Sequence, residues 1–413
     1  MKILFLTLGT FHDIEDPGIY TDLLREFRDR GHDLYIVCQR EKRLGMDTRC
    51  TRRSGVTMLE VKTGNITKTN LFIKGINTLL LGKTFERAIK DYLKGIAFDA
   101  VLYSTPPITL VNLVGKIKRR DSAKTYLMLK DIFPQNAVDL KMIRNNGLLH
   151  RYFRVKEKKL YAVSDYIGCM SPGNVEYLLK HNPEVTAEKA GLCPNSILPL
   201  KSVLEKNCTD GKKHYVLPQN KTLFLYGGNL GKPQDVKFIV SCLKACATRK
   251  DCHFIICGNG TEYSVLERYT REAHPKNVTL LKGLAKKEYD ELVGACDVGL
   301  VFLDYRFTIP NFPSRMLSYM EQGLPVLACT DTATDLGKVI MENEFGRWVP
   351  SNEVTGFMEA VDFFCDDRET CLRMGKKARC YLEKHYSVKK VCDSVFGALT
   401  NNRINNSGIS SHQ

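Results

Sequence analysis

Three stretches in the later half of the chain combine residue types that could hold an anion. In the first, Leu225-Tyr226-Gly227-Gly228-Asn229-Leu230-Gly231-Lys232, an apolar run passes into a glycine-rich turn and then a helix-forming segment. Glycine lets the backbone approach a phosphate and Lys232 supplies a balancing charge, although the same turn also serves as a tight connection with no ligand. The second, Cys257-Gly258-Asn259-Gly260, follows the apolar run His253 to Cys257 and is open to the same two readings. In the third, Pro310 to Pro325, Pro313 and Ser314 mark a helix start. Backbone N–H groups from Pro313 to Arg315 and the positive end of that helix would face an anion. Arg315 would lie against a diphosphate, and Ser318, about one turn on, would point a hydroxyl into the same pocket. A capped helix with a solvent-facing arginine is the plainer alternative.

The first half offers single residues rather than patterns. Asp131 follows an apolar run and precedes Pro134, a place for a catalytic or acceptor-orienting carboxylate or for a turn cap. His12 and Asp13 lie in the loop Gly9 to Gly18, where polar residues are also common without a function.

Positioning these residues takes alternating strands and helices. Lys2 to Leu8, Tyr20 to Arg30 and Asp33 to Cys38 read as strand, helix, strand, a unit that belongs in a parallel sheet. Val56 to Val61, Ala100 to Tyr103 and Lys124 to Leu129 read as further strands. A helix over Leu71 to Lys94 is expected to turn Phe72, Ile76, Leu79, Leu80 and Phe85 to the core. A basic helix, Leu148 to Ser164, comes before a strand at Tyr166 to Met170. No period is visible from Pro194 to Pro218, and alternation then restarts with strands at Lys221 to Tyr226, His253 to Cys257, Val278 to Leu281, Val298 to Leu303 and Pro325 to Ala328. At 413 residues, two α/β domains are expected. They are residues 1–200 and 201–387, each Rossmann-like and facing the other, with ligands at the carboxyl ends of the strands in the cleft between them. A helix at about residues 388–405 is expected to pack back on the first domain, and the tail Asn401 to Gln413 to fray.

Composition narrows the class. Hydrophobic residues at 43% and charged residues at 26% describe a globular chain. Fifteen cysteines dispersed through apolar runs read as buried thiols of a reducing compartment. No Cys-x-x-Cys pair or Cys/His spacing points to zinc. The first eleven residues are interrupted by Thr7, Gly9 and Thr10 before they could form a signal or a span, and no run of about 18 apolar residues follows, so a soluble chain is expected. The net charge of +15 gathers at Lys42 to Arg53, Lys116 to Arg120 and Lys141 to Lys159. Such clusters attract an anionic surface or are solvated helix faces; without a base-reading motif they do not favour nucleic acid.

The order and spacing of these motifs resemble the family 4 retaining glycosyltransferases of the two-Rossmann GT-B fold. The resemblance runs over nearly the whole chain: the Gly31-His32 turn, Asp131-Ile132-Phe133-Pro134, Ser171-Pro172, Pro194-Asn195, Gly228 to Lys232, Gly258-Asn259-Gly260 and Pro313-Ser314-Arg315…Tyr319…Gly323-Leu324-Pro325-Val326. The Gly-Asn-Leu-Gly-Lys and Pro-Ser-Arg variants look like those of the branch that moves hexosamine-type sugars in capsule or O-antigen assembly. The resemblance implies a nucleotide diphosphate sugar donor held by the second domain at Gly227, Gly228, Asn229, Lys232, Gly258, Asn259, Gly260, Pro313, Ser314, Arg315 and Ser318. Lys232 and Arg315 would stand by the diphosphate, with no metal and no separate cofactor. It places a lipid-linked or oligosaccharide acceptor in the first domain near Asp131 and His12, and a peripheral location on the inner face of the cytoplasmic membrane.

One departure stands out. The family's pair of glutamates, separated by seven residues, falls here at Pro310 and Ser318, neither acidic. Glu321, one turn beyond, is a candidate substitute and is expected at the surface. That departure keeps a catalytically silent partner subunit as the alternative reading. A nucleotide-sugar epimerase would need a set of acid/base groups that the second half does not show.

Overall fold

The computed structural model describes residues 1–11, 13–67, 69, 71–200 and 215–400, without the side chains of Leu71 and Phe72. His12, the side chain of Phe72, most of the expected linker and the tail beyond residue 400 therefore lie outside what the structure describes. The chain divides into two compact units, one of residues 1–138, 143–197 and 388 onward, the other of residues 139–142 and 198–387.

In the first unit the strands are β1 (Lys2–Thr7), β2 (Asp33–Glu41), β3 (Arg49–Arg53), β4 (Val56–Thr63), β5 (Ala100–Ser104), β6 (Lys124–Leu129), β7 (Tyr166–Cys169) and β8 (Ala190–Leu192). They form one sheet in the order β3-β4-β2-β1-β5-β6-β7-β8. Every pairing is parallel except β3 with β4. Continuous apolar runs such as Ile3 to Leu6 and Ala100 to Tyr103 are buried on both faces, as strands between helical layers must be. The helix Val388–Thr400 completes the unit, where Val391, Cys392, Val395 and Leu399 share a core with Leu23, Leu24 and Phe27. The backbone N–H of Val388 donates to Ile197 O at 3.0 Å, and Arg30 pairs with Asp393 at 2.5 Å.

The second unit holds β9 (Thr222–Asn229), β10 (Cys252–Asn259), β11 (Val278–Leu281), β12 (Val298–Phe302), β13 (Val326–Thr330) and β14 (Gly346–Pro350). They form a wholly parallel sheet in the order β11-β10-β9-β12-β13-β14. This is the Rossmann strand order 3-2-1-4-5-6. Its core on one face joins Phe224, Tyr226, Phe254 and Phe302 to Phe357 and Phe364 of the helix Val354–Asp366.

Several elements differ from expectation. Part of the first basic cluster is strand β3, a hairpin partner of β4 across Ser54-Gly55, both with positive φ (48° and 77°). That turn form matches the twist of paired strands, and alternation in so charged a segment hides it. The short strands β8 and β14 also carry too little periodicity to be read. The helix Leu71–Tyr92 buries Leu81, Phe85, Ala88 and Ile89, whereas Ile76, Leu79 and Leu80, expected in the core, are exposed. Its first turns are apolar nearly all round, so the period alone does not choose a side.

Candidate functional site

Strand order in the second sheet reverses between β9 and β12, the point at which open α/β sheets leave a crevice beyond their strand ends. The first glycine turn ends β9 and the second ends β10. Parallel pairing sets Gly227 opposite Cys257, Gly228 opposite Gly258 and Asn229 opposite Asn259, so the two motifs form one double edge. Leu230 N donates to Asn259 O and Glu262 N to Leu230 O, both at 2.9 Å, which ties the turns together beyond the ladder. Gln234 Oε1 accepts from Gly231 N at 3.2 Å and from Asn229 Nδ2 at 3.0 Å, closing the first turn.

The glycines divide by cause. A Cβ on Gly227 would sit 1.9 Å from the Tyr289 hydroxyl, one on Gly258 1.9 Å from Gly228 O, and one on Gly260 2.1 Å from Leu230 O. Protein packing already requires a bare Cα at those three positions. Gly228 differs: its φ is +125°, it is exposed, and the atoms nearest its open side belong to the Arg315 guanidinium, 3.7–3.9 Å away. Among the glycines of the double edge it is the one facing a side chain able to bind an anion.

Arg315 opens the short helix Arg315–Glu321, which follows β12 and its loop. Its guanidinium carbon lies 4.5 Å from the centre of the Tyr226 ring, a cation–π contact that fixes the fork over the end of β9. Buried Nη1 has no hydrogen-bond partner among the described residues. An unsatisfied buried polar group costs about 1–3 kcal/mol, and a charged one more, so this nitrogen is primed for an acceptor from outside. Tyr319, from the same helix, accepts a hydrogen bond from Gly227 N at 2.9 Å and donates to Leu300 O at 3.2 Å, locking the helix to both sheet neighbours at the reversal point. The sequence reading named neither Tyr226 nor Tyr289 as part of the site. Tyr226 sits in the quoted motif, but no spacing rule marks Tyr289.

The other predicted residues are placed as follows. Lys232 is exposed at the head of a 3-10 turn and has no ion pair among the described residues. Pro313 has no N–H, so the backbone donors expected at the helix start reduce to Ser314 and Arg315. Ser314 is itself helical (φ −66°, ψ −19°) and makes no side-chain cap. Ser318 is half-buried one turn after Arg315, and Pro310 is buried. Glu321, expected at the surface, is buried and accepts from Leu200 N at 3.0 Å. It is a structural tie, not a substitute for the missing glutamates.

In the first unit Asp131 follows β6. Asn136 Nδ2 donates to both of its carboxylate oxygens at 2.8 Å, and Thr105 Oγ1 donates to its carbonyl at 3.0 Å. Burial lifts its pKa from 3.8 to about 6, against the lowering effect of the hydrogen bonds from Asn136 and the Ile132 backbone. A folded value above the unfolded one means that ionisation costs stability. The cost is absent below about pH 4, grows as pH rises through about 6, and is full above that. Asp131→Asn is therefore expected to be more stable than the parent at pH 7.5 and equal to it near pH 4, as urea titrations at both pH values will read.

Residues 209–380 match the model of the family "Glycosyl transferases group 1". The chain is 22% identical over 326 residues to the probable glycosyltransferase WbjE of Pseudomonas aeruginosa, covering 78% of each. Among solved structures it is similar to sucrose-phosphate synthase of Thermosynechococcus elongatus, with a TM-score of 0.75 at 14% identity over 97% of this chain and 100% of that one. Anabaena HepE in complex with UDP gives a TM-score of 0.67 at 13% identity, again over 97% and 100%. With its Rossmann-ordered second unit and these structural neighbours, the chain has the GT-B fold, and over residues 209–380 it is similar to the glycosyl transferases of group 1.

Proposed function

We propose that the chain transfers a hexosamine-type sugar, with retention at the anomeric carbon, from a nucleotide diphosphate sugar to a lipid-linked or growing glycan acceptor in cell-surface polysaccharide assembly. One observation carries the reading: the buried, partly unpaired Arg315 guanidinium beside the open face of Gly228 where the sheet order reverses. A diphosphate supplies the acceptors this fork lacks. As the bond from the anomeric carbon to the diphosphate oxygen breaks, charge grows on the leaving oxygen, and Arg315 with Lys232 neutralises it without a metal ion. A uridine nucleotide bound to HepE, a protein of similar fold, supports the same class of donor.

The acceptor side falls to the first unit, with Asp131 at a strand end. Of the three basic clusters, the first two are largely neutralised by pairs such as Arg49–Glu60, Lys116–Glu86 and Lys118–Asp165. On the helix Leu148–Val163, by contrast, Leu148, Tyr152 and Val155 form an exposed apolar stripe. It is bordered by Arg151, Lys156 and Lys159, which have no ion pair among the described residues. No helix of the described residues is long and apolar enough to cross a membrane. An apolar stripe between cations instead suits the surface of an anionic leaflet, each basic residue adding about 1 kcal/mol. This supports peripheral work on the cytoplasmic side.

The test presents a panel of nucleotide sugars to the purified protein, with a lipid-linked acceptor in neutral or anionic vesicles. One donor is expected to be consumed, faster on anionic vesicles, and the enzyme should leave those vesicles at high salt. No turnover with any donor would favour the silent-subunit reading.

A further inference from the structure

At the opposite end of β10 from its glycine turn, three side chains come together that the transfer reaction does not use. A carboxylate oxygen of Asp251, Sγ of Cys252 and Sγ of Cys365 all lie within 4.8 Å of one another. Cys252 starts the strand, Asp251 immediately precedes it, and Cys365 comes from the last turn of the helix Val354–Asp366. The pairing is invisible in the sequence because its members are far apart along the chain. We infer that this cluster is a binding site for a soft divalent cation of the zinc class, remote from the donor site.

The ligand set argues for that class. Two thiolates with one carboxylate select zinc-like ions over magnesium or calcium. Around a tetrahedral ion, with metal–sulfur bonds of about 2.3 Å and a metal–oxygen bond of about 2.1 Å, ligand atoms stand roughly 3.5 Å apart. Cys252 is fully buried, Cys365 is half-buried and Asp251 is exposed, which leaves the fourth position to water from the solvent side. Arg249 already orients the carboxylate, with Nη2 2.6 Å from one oxygen and Nε 3.1 Å from the other, and Arg249 in turn is held by Asp362. Such outer partners are the usual supports of metal ligands. Binding is an exchange without electron transfer: the cation enters, the two thiol protons leave to solvent, and the ion with its three ligands keeps the single negative charge that Asp251 already carries beside Arg249.

Cadmium titration of the reduced, metal-stripped protein tests the site. One ion per chain is expected, with a sulfur-to-metal ultraviolet band and two protons released, and zinc should raise the melting temperature. Cys365→Ala should lose the band and the melting shift, Arg249→Gln should bind about 10–100-fold more weakly, and Cys380→Ala, at an exposed cysteine, should bind as the parent does. Cys365 carries the test because Cys252 is wholly buried and its replacement can destabilise the sheet. A folded Cys365→Ala that keeps both the band and the melting shift would overturn the inference. So would a protein that yields only a Cys252–Cys365 disulfide and no metal band.

Discussion

Arg315→Ala is expected to lower kcat about 10²–10³-fold while leaving the protein as stable as before or slightly more so. The activity loss follows from removing a preorganised donor at the point where the leaving diphosphate gains charge. The stability outcome follows from the same geometry. A buried guanidinium nitrogen without a partner is a cost that alanine removes, set against the lost contact with Tyr226. A residue kept for folding would show the opposite pairing. Arg315→Lys should recover little, since an ammonium cannot present two donors in the plane of the fork. Lys232→Ala should cost less than Arg315→Ala, because Lys232 is exposed and its charge is screened by water. Calorimetry with a nucleoside diphosphate separates these variants, and unchanged affinity in Arg315→Ala would remove the basis for the donor site.

How much of this was legible depends on whether a residue's environment is local. The parallel sheets could be read because β1, β5, β9 and β12 are buried on both faces and so appear as unbroken apolar runs. The glycine turns could be read because they sit between such a run and a helix. What the sequence could not show was the cause of each glycine. Gly227 is bare because Tyr289 lies over it and Gly258 because Gly228 O does, and both contacts cross between elements. Glu321 was misjudged for the same reason: its partner, Leu200 N, is far away in the chain. The exposed side of the helix Leu71–Tyr92 was misjudged because its apolar residues outnumber the places that can bury them.

The absent glutamates gain a physical context from these contacts. Position 310 is a buried proline and position 318 a half-buried serine, so neither carries a carboxylate. The anion-binding elements, by contrast, are built into the sheet: Tyr319 ties the helix of Arg315 to Gly227, and Tyr226 carries the guanidinium. In the proposed donor site, diphosphate recognition would therefore rest on groups held by the core.

That dependence on the core makes Gly258→Ala a damaging single methyl in the second unit's site. The added carbon would stand 1.9 Å from Gly228 O and 3.0 Å from Gly228 C. Both atoms are backbone, so no rotamer relieves the clash, and β9 and β10 must part where they are paired at Gly228 and Gly258. Overpacking of this kind costs about 1–3 kcal/mol and occasionally more, each kcal/mol lowering Tm by about 2–4 °C in a domain of this size. Displacing Gly228 also shifts the surface facing Arg315, so affinity for a nucleoside diphosphate should fall with stability. Gly228→Ala separates the two effects: its Cβ would meet Arg315 only at 3.7 Å, leaving the strained φ of +125° as the main penalty, about 1–3 kcal/mol. Melting curves and calorimetry on both variants decide the matter. A Gly258→Ala protein that melts and binds like the parent would mean that the two turns are not packed as one edge, and the diphosphate site would lose its floor.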